Sequence, residues 1–471
     1  MTTVLAIDQG TSGTKAVVVD GEGKILGLAE RTVRPSYLPG GGVEQNPQEL
    51  LNSVLEAGRA AVVQSNALID IVTLANQGET VLAWDPATGK PLSNMIVWQD
   101  RRADGICSEL AEHGEQVARR TGLVLDPYFS APKQAWIRRN ITREGVVTTS
   151  DTWLIHQLTG EFVTDVSTAS RSLVTDLDTT DWDPELLALF GLEGERLPRI
   201  LKSDEIAGAT SAFGGVMAVG GLIVDQQAAL LAEGCLRPGE AKCTFGTGAF
   251  LLANTGTSAA RSSAGLTASV AWNVQDKASY CFDGQIYTAA SAVRWLQQLG
   301  FINEASELDT VSATSSEGVL SVPALAGLAA PWWRPDAKAT FSGMTLSTGR
   351  EHMVLAVLEG IAAQVAEVGD LIATDIGSPL QRLSVDGGLT QSKVLMQSVA
   401  NLMQMEIAVY PSQHATPLGA AALARVAAEP TRSLENAVIP WQPSTVYEPK
   451  WSADQAADFR SHWRAAAESA H

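Results

Sequence analysis

The chain has little of what would tie it to an oxidising compartment, a membrane or a nucleic acid. Four cysteines, Cys107, Cys235, Cys243 and Cys281, occur in 471 residues without CxxC spacing or a histidine cluster beside them. Neither a zinc site nor a disulfide framework is suggested, and the four read as reduced, buried thiols. No apolar run approaches the roughly 18 residues of a membrane span, and Met1-Thr2-Thr3 leads into a short strand without a basic leader. A cytoplasmic protein with no membrane insertion is expected. Positive charge is scarce. The 33 Lys and Arg stand against 52 Asp and Glu, and a net charge of −19 repels duplex nucleic acid and anionic lipid at long range. No nucleic-acid partner is expected; a small, mostly neutral substrate fits better. An anionic nucleotide would have to be held locally, by backbone N–H groups and a metal, against the overall field. The six histidines are scattered, which weakens histidine-based mechanisms.

What is present is a globular composition, 45% hydrophobic and 18% charged. The length exceeds the roughly 250–300 residues at which one core stops growing, so at least two domains are expected. The start reads as a β-meander: VLAI at residues 4–7, the turn DQGTSG, then TKAVVVD and KILGLAE. A similar opening recurs near residue 236, with RPGEAKCTF, a GTG turn at Gly246 to Gly248, AFLLANTG and a third run around Ala278 to Asp283. Two similar openings suggest an ancient duplication. Helical spacing marks Pro47 to Ser65, Ala290 to Leu299, Glu351 to Asp375 and Lys393 to Met405, while IDIVTLAN, MIVWQD and RLSVDGG read as strands. The class is α/β with mixed sheets. No Pro/Ser-rich linker marks the boundary, which is placed between Gly220 and Asp225, where GGLIVDQQ passes into a new apolar strand.

The first turn puts Asp8, Thr11, Ser12 and flexible backbone at Gly10 and Gly13 on one hairpin tip, with Lys15 on the next strand. Glycines let N–H groups approach phosphate oxygens, and an Asp at a strand end suits Mg²⁺. An ordinary glycine hairpin explains the same residues. The second turn, Thr244 to Gly248, and Asp386-Gly387-Gly388 after a strand tip the balance toward a nucleotide held between two halves. Asp225, at another strand end, is a second candidate carboxylate; its plain alternative is a cap on the helix QQAALLAEG.

DQGTSGTKAVVVD, IVWQDRR, DPYFSAPKQAWI, SDTWLIHQLTG, TASRSLVTDLDTTDWD, VDQQAAL, TFGTGAF, LAAPWW, SVDGGLTQSKVLMQ and TPLGAAALA occur in order from about residue 4 to residue 425. Together they resemble the FGGY family of carbohydrate kinases, especially its glycerol kinase branch. The resemblance implies a two-domain, actin-like (ribonuclease H-like) ATPase fold, each domain a mixed five-stranded sheet flanked by helices, with the site in the interdomain cleft. It implies residues 1–222 as the domain of the phosphate hairpin and polyol pocket, and 223–471 as that of the catalytic Asp and adenosine site. ATP and Mg²⁺ are implied as cofactors, with Asp8 and Asp225 facing the metal. Asp225 is the implied base for the attacking hydroxyl. Glu79, Trp98, Tyr128, Asp225, Gln226 and Phe250 form the implied polyol pocket, Thr11, Ser12, Gly13, Lys15, Gly246 and Thr247 lie toward the phosphates, and Arg294, Gly387, Gly388 and Ser392 lie toward the adenosine. A homodimer is compatible with this reading.

Departures bear on the substrate. Where the branch has Arg before the pocket Glu, this chain reads Asn76-Gln77-Gly78-Glu79-Thr80, and a guanidinium is missing. Gly78 leaves room for a longer polyol or a ketopentose, whereas the aromatic and carboxylate positions favour glycerol. Ala290, Arg294 and Ser392 replace other family residues near the nucleotide, and the loop SAFGGVMAVGG lacks the Lys and Arg that would hold a sugar bisphosphate. Asp100 beside Arg101 and Arg102 reads as a structural ion pair. Two further readings fit less well: an actin-like ATPase that is not a kinase does not need Trp98, Tyr128 and Glu79 together, and the retention of Asp8 and Asp225 argues against a sugar sensor that has lost catalysis.

Overall fold

The computed structural model describes residues 2–470; Met1 and His471 lie outside the described residues. The first half opens with the expected meander, β1 (Val4–Gly10), β2 (Gly13–Val19) and β3 (Ile25–Thr32), paired antiparallel. Helix α1 (Pro47–Ser65) spans the expected residues, because the Asn46 side chain accepts the N–H groups of Gln48 and Glu49 and Pro47 supplies a preset first turn. Strand β4 (Ile71–Asn76) then runs parallel to β1. The sheet is completed by β5 (Ile206–Thr210), β6 (Met217–Gly220) and β7 (Ile223–Val224). Its order is β5-β6-β4-β1-β2-β3, with β7 also on β4. Between β4 and β5 lies a smaller region that includes α2 (Ser130–Asn140).

The second sheet comprises β8 (Glu240–Phe245), β9 (Ala249–Gly256), β10 (Thr267–Val274), β11 (Lys277–Ile286), β12 (Arg382–Asp386), β13 (Ile407–Val409) and β14 (Thr445–Tyr447), in the order β10-β11-β9-β8-β12-β13-β14. Five strands in each sheet follow one path: β3-β2-β1-β4-β6 and β11-β9-β8-β12-β13 share the same parallel and antiparallel steps. Each sheet nevertheless has seven strands, not the five expected. β5 and β7 are added in the first sheet, β10 and β14 in the second, and three of these four lie at edges, where added pairing covers open backbone groups. β10 escapes sequence reading because Ala268, Ser269 and Ala271 carry little strand propensity. MIVWQD contracts to a two-residue strand, Met95–Ile96, in a separate five-stranded sheet. Beyond it the chain turns, with the Val43 N–H donated to Asp100 at 2.7 Å.

The helices α3 (Asp225–Ala232), α4 (Ala290–Gln298), α5 (Arg350–Ile376), α6 (Lys393–Met403) and α7 (Ala415–Ala428) flank these sheets. At the expected boundary the apolar pair Ile223–Val224 still bonds to Ala75 and Asn76 of the first sheet, so the new strand expected there belongs to the first half, and the second sheet begins at β8. Helix α7 returns beneath the first sheet, burying Ala421 and Ala424 with Val4, Ala6, Val17 and Ile71. It also packs against α3 so closely that a Cβ on Gly419 would lie 1.8 Å from the Ala228 carbonyl oxygen. This contact seats α3, and with it Asp225, between the halves. Among the described residues no helix is long and apolar enough to cross a membrane. All four cysteines are buried and unpaired.

Candidate active site

Pairing of β1 with β2 sets Asp8 opposite Lys15, so both side chains stand on one face of the sheet. Burial pushes the Asp8 carboxyl up to about 6; the Lys15 ammonium opposes this and Glu30 adds to it. Lys15 itself lies 3.4 Å from Glu30 and 3.4 Å from the Gln413 carbonyl. At the hairpin tip the Thr11 hydroxyl accepts the Trp98 indole N–H at 2.9 Å, and its carbonyl accepts the Gln45 amide at 2.6 Å. Gln45 in turn accepts from the Gln77 side chain at 2.7 Å, and the Gln77 N–H reaches the Gln9 carbonyl at 2.7 Å. The tip is thereby locked to the segment holding Gly78 and Glu79. Gly13 lacks a side chain for a packing reason: a Cβ there would lie 2.6 Å from the Arg31 carbonyl, whereas at Gly10 the nearest atom is 3.5 Å away.

The second hairpin, Gly246 to Gly248, joins β8 to β9. The Gly246 carbonyl accepts the N–H of Ala290 at 3.0 Å, and the Thr247 carbonyl those of Ala289 at 3.0 Å and Ser291 at 3.1 Å, which fixes the start of α4. The third glycine turn packs on the last residue of β8, just before this hairpin: Gly387 has φ +95°, and its Cβ would meet the Phe245 carbonyl at 2.4 Å. Gly388 and Thr247 are exposed, and Gly388 has open space around it. Arg294 is exposed on α4. The Ser392 hydroxyl caps α6 and donates to Asp309 at 2.9 Å.

Trp98, Tyr128 and Phe250 meet edge to face, with ring centroids 5.5 Å apart for Trp98 and Tyr128 and 6.3 Å for Trp98 and Phe250. They line a cavity of about 310 Å³ together with Thr247, Arg101 and Tyr287. The loop carrying Tyr128 is fixed by buried Lys133 on α2, whose ammonium donates to the carbonyls of Pro127, Tyr128 and Phe129 at 2.8, 2.5 and 2.5 Å. Glu79, with φ +56°, is buried against the Nε of Arg171, and Arg171 Nη1 lies 3.1 Å from Asp283. The guanidinium also stands 5.8 Å from the Tyr128 ring. Burial raises the Glu79 carboxyl, with Arg171 the main opposing influence. A Cβ on Gly78 would stand 3.0 Å from Val224 Cγ2 and 4.0 Å from Arg171 Nε, so Arg171 flanks the space where a side chain at this position would start.

Asp225 is the first residue of α3, not its cap; its carboxylate accepts the Gln226 N–H at 2.7 Å. Burial, then the charges of Asp8 and Glu79, push it up to about 7, while Lys242 pulls it down. The Asp8 charge thus reaches Asp225 across the cleft. A dication between two such carboxylates relieves their repulsion, and Mg²⁺ is commonly held by one or two carboxylates plus phosphates. The pair fits that ion. The Gln226 side-chain oxygen accepts from buried Lys242 at 2.6 Å. Asp100 pairs with Arg102 at 2.7 Å as expected, whereas Arg101 pairs with Asp104 and Asp126.

Arg171, Asp283 and Lys242 were not singled out from the sequence. Arg171 lies in the turn after a four-residue helix, inside a segment that shares the family resemblance, and Asp283 sits at mid-strand with nothing local to distinguish it. Lys242 did carry a signal, a lysine between the apolar Ala241 and Cys243 on the approach to a glycine hairpin.

The family model for the N-terminal domain of the FGGY family of carbohydrate kinases matches residues 3–232, and that for the C-terminal domain matches residues 241–428. A glycerol kinase of Bordetella parapertussis is 39% identical over 99% of this chain and 96% of its own. One from Gloeobacter violaceus is 42% identical over 86% of this chain and 84% of its own. The solved structure of Plasmodium falciparum glycerol kinase with ADP is 33% identical, covers 99% of this chain and 98% of that one, and gives a TM-score of 0.93.

Proposed function

The chain belongs to the FGGY family of carbohydrate kinases, and is therefore a phosphotransferase; from that premise we propose that it transfers the γ-phosphoryl group of ATP to a primary hydroxyl of glycerol or a closely related short polyol. One observation carries the substrate reading: Glu79 with Arg171, three aromatic edges and Asp225 all converge on a single cleft. The polyol carbons lie against Trp98, Tyr128 and Phe250, and its hydroxyls bond to Glu79 and Gln226. Asp225 accepts the proton of the attacking hydroxyl while the new O–P bond forms and the bond from the γ-phosphorus to its bridging oxygen breaks, leaving ADP. Backbone N–H groups at the two hairpins, with the hydroxyls of Thr11, Ser12 and Thr247, receive the phosphates. Mg²⁺ held by Asp8 and Asp225 supplies charge neutralisation at the phosphates when bound.

A second reading within the family, a ketopentose substrate, is favoured by the bare backbone at Gly78. The relatives quoted above are glycerol kinases, which supports the first. ADP release measured across glycerol, erythritol, pentitols and ketopentoses separates them. Glycerol or erythritol should give the highest kcat/KM. Better turnover of a ketopentose overturns the substrate assignment, and no substrate-stimulated ADP release with any of them overturns the activity in this chain.

A further inference from the structure

Lys242 lies wholly inside the protein on β8, and its ammonium makes two short bonds, to the Gln226 side-chain oxygen at 2.6 Å and the Thr244 hydroxyl at 2.7 Å. It is one of the largest fully buried side chains, and burying an ammonium is costly unless its donors are matched. The groups facing it are Asp225 and Gln226 at the start of α3, Glu233 just past the end of that helix, Thr244 on its own strand and Asp386 on β12. An ammonium can only donate, so the amide of Gln226 must turn its oxygen inward to Lys242. Its NH₂ group is left to face away from Lys242.

Resting on the polyol-kinase reading, we propose that Lys242 is a positioning residue: it fixes the Gln226 amide so that the NH₂ group, not the oxygen, is offered to a hydroxyl of the polyol. Through Thr244 it ties that orientation to the strand that runs into the Gly246 to Gly248 hairpin. The acceptor hydroxyl and the phosphate-side hairpin are thereby held in one frame. Lys242 touches neither substrate itself.

The test is a double-mutant cycle of Lys242→Met and Gln226→Met, read as kcat/KM for the preferred polyol with the KM for ATP as control. Each single variant should lose on the order of 10- to 100-fold in polyol kcat/KM, the range for an unmatched hydroxyl contact, with the ATP KM within about twofold. The double variant should be no worse than either single one. Lys242→Gln, which keeps a donor, should recover part of the loss. Additive losses, or a loss shared equally by the ATP KM, overturn the proposal. Should Lys242→Met fail to fold, Gln226→Glu serves: its carboxylate still meets the ammonium but offers the polyol no N–H, and polyol kcat/KM should again fall. Unchanged kcat/KM in that variant also overturns the proposal. Absence of polyol-dependent ADP release in the unsubstituted enzyme would instead remove the reading on which it rests.

Discussion

Arg171 is caught between Glu79 and Asp283, all three buried, with the Tyr128 ring beside the guanidinium. Truncating it leaves two carboxylates facing each other in a dry site. Arg171→Met should therefore destabilise the fold by about 3–5 kcal/mol, visible as a lowered Tm. Glu79→Gln, which lowers the negative charge, should partly restore Tm in the double variant; no restoration would place the cost elsewhere. Asp225 bears on pH. Its pKa is raised to about 7, so the proton-accepting form is present above that value and is lost as pH falls through it. kcat/KM for the polyol at subsaturating Mg–ATP should fall below about pH 7, by about tenfold per unit at the limit. A limb near pH 4, the ordinary carboxylate range, would contradict the burial seen here. At Gly78 a side chain has to displace Val224 slightly and run past Arg171. Gly78→Arg should shrink the pocket and shift the ratio of glycerol to pentitol kcat/KM by roughly 10-fold or more toward glycerol. An unchanged ratio would show that residue 78 does not bound the pocket.

At the scale of elements, the glycine turns do more than approach phosphates. Gly387 holds a left-handed conformation with no room for a Cβ beside the Phe245 carbonyl. Gly387→Ala should cost about 1–3 kcal/mol by pushing this turn off the Gly246 hairpin and, on the proposed nucleotide role of the two turns, raise the KM for ATP more than that for the polyol. Equal effects on both KM values would argue against that assignment. The meander, α1 and the strand before Gly387 were legible because period, caps and turn residues agree locally. The edge strands were not, since β10 is rich in small residues and β14 is only three long. The functional gaps have the same origin. Glu79, Trp98 and Tyr128 stood in readable motifs, but Arg171 and Lys242 take their meaning from partners 92 and 16 residues away. No local pattern encodes such a pairing. Gly13 went the other way: it read as a phosphate-approach glycine, yet its contact with β3 is what forbids a side chain.

Across the whole molecule, two sheets with the same five-strand path bring Asp8 and Asp225 to a common cleft, and α7 pins the second half under the first sheet. The similarity of the halves gives the duplicated frame; their differences give the chemistry. The first half supplies Glu79, Arg171, Trp98 and Tyr128 to the pocket, and the second supplies Phe250 and Asp283 together with the Gly246 and Gly387 turns. Asp225 sits at the joint, at the start of the helix that α7 holds in place. The central claim is that its carboxylate takes the proton of the acceptor hydroxyl. Polyol-stimulated ADP release by Asp225→Asn, measured beside nucleotide binding by the same variant, tests this most directly. The account predicts a kcat lowered by about 10²–10⁴-fold with ATP still bound; turnover near that of the unsubstituted enzyme would contradict it.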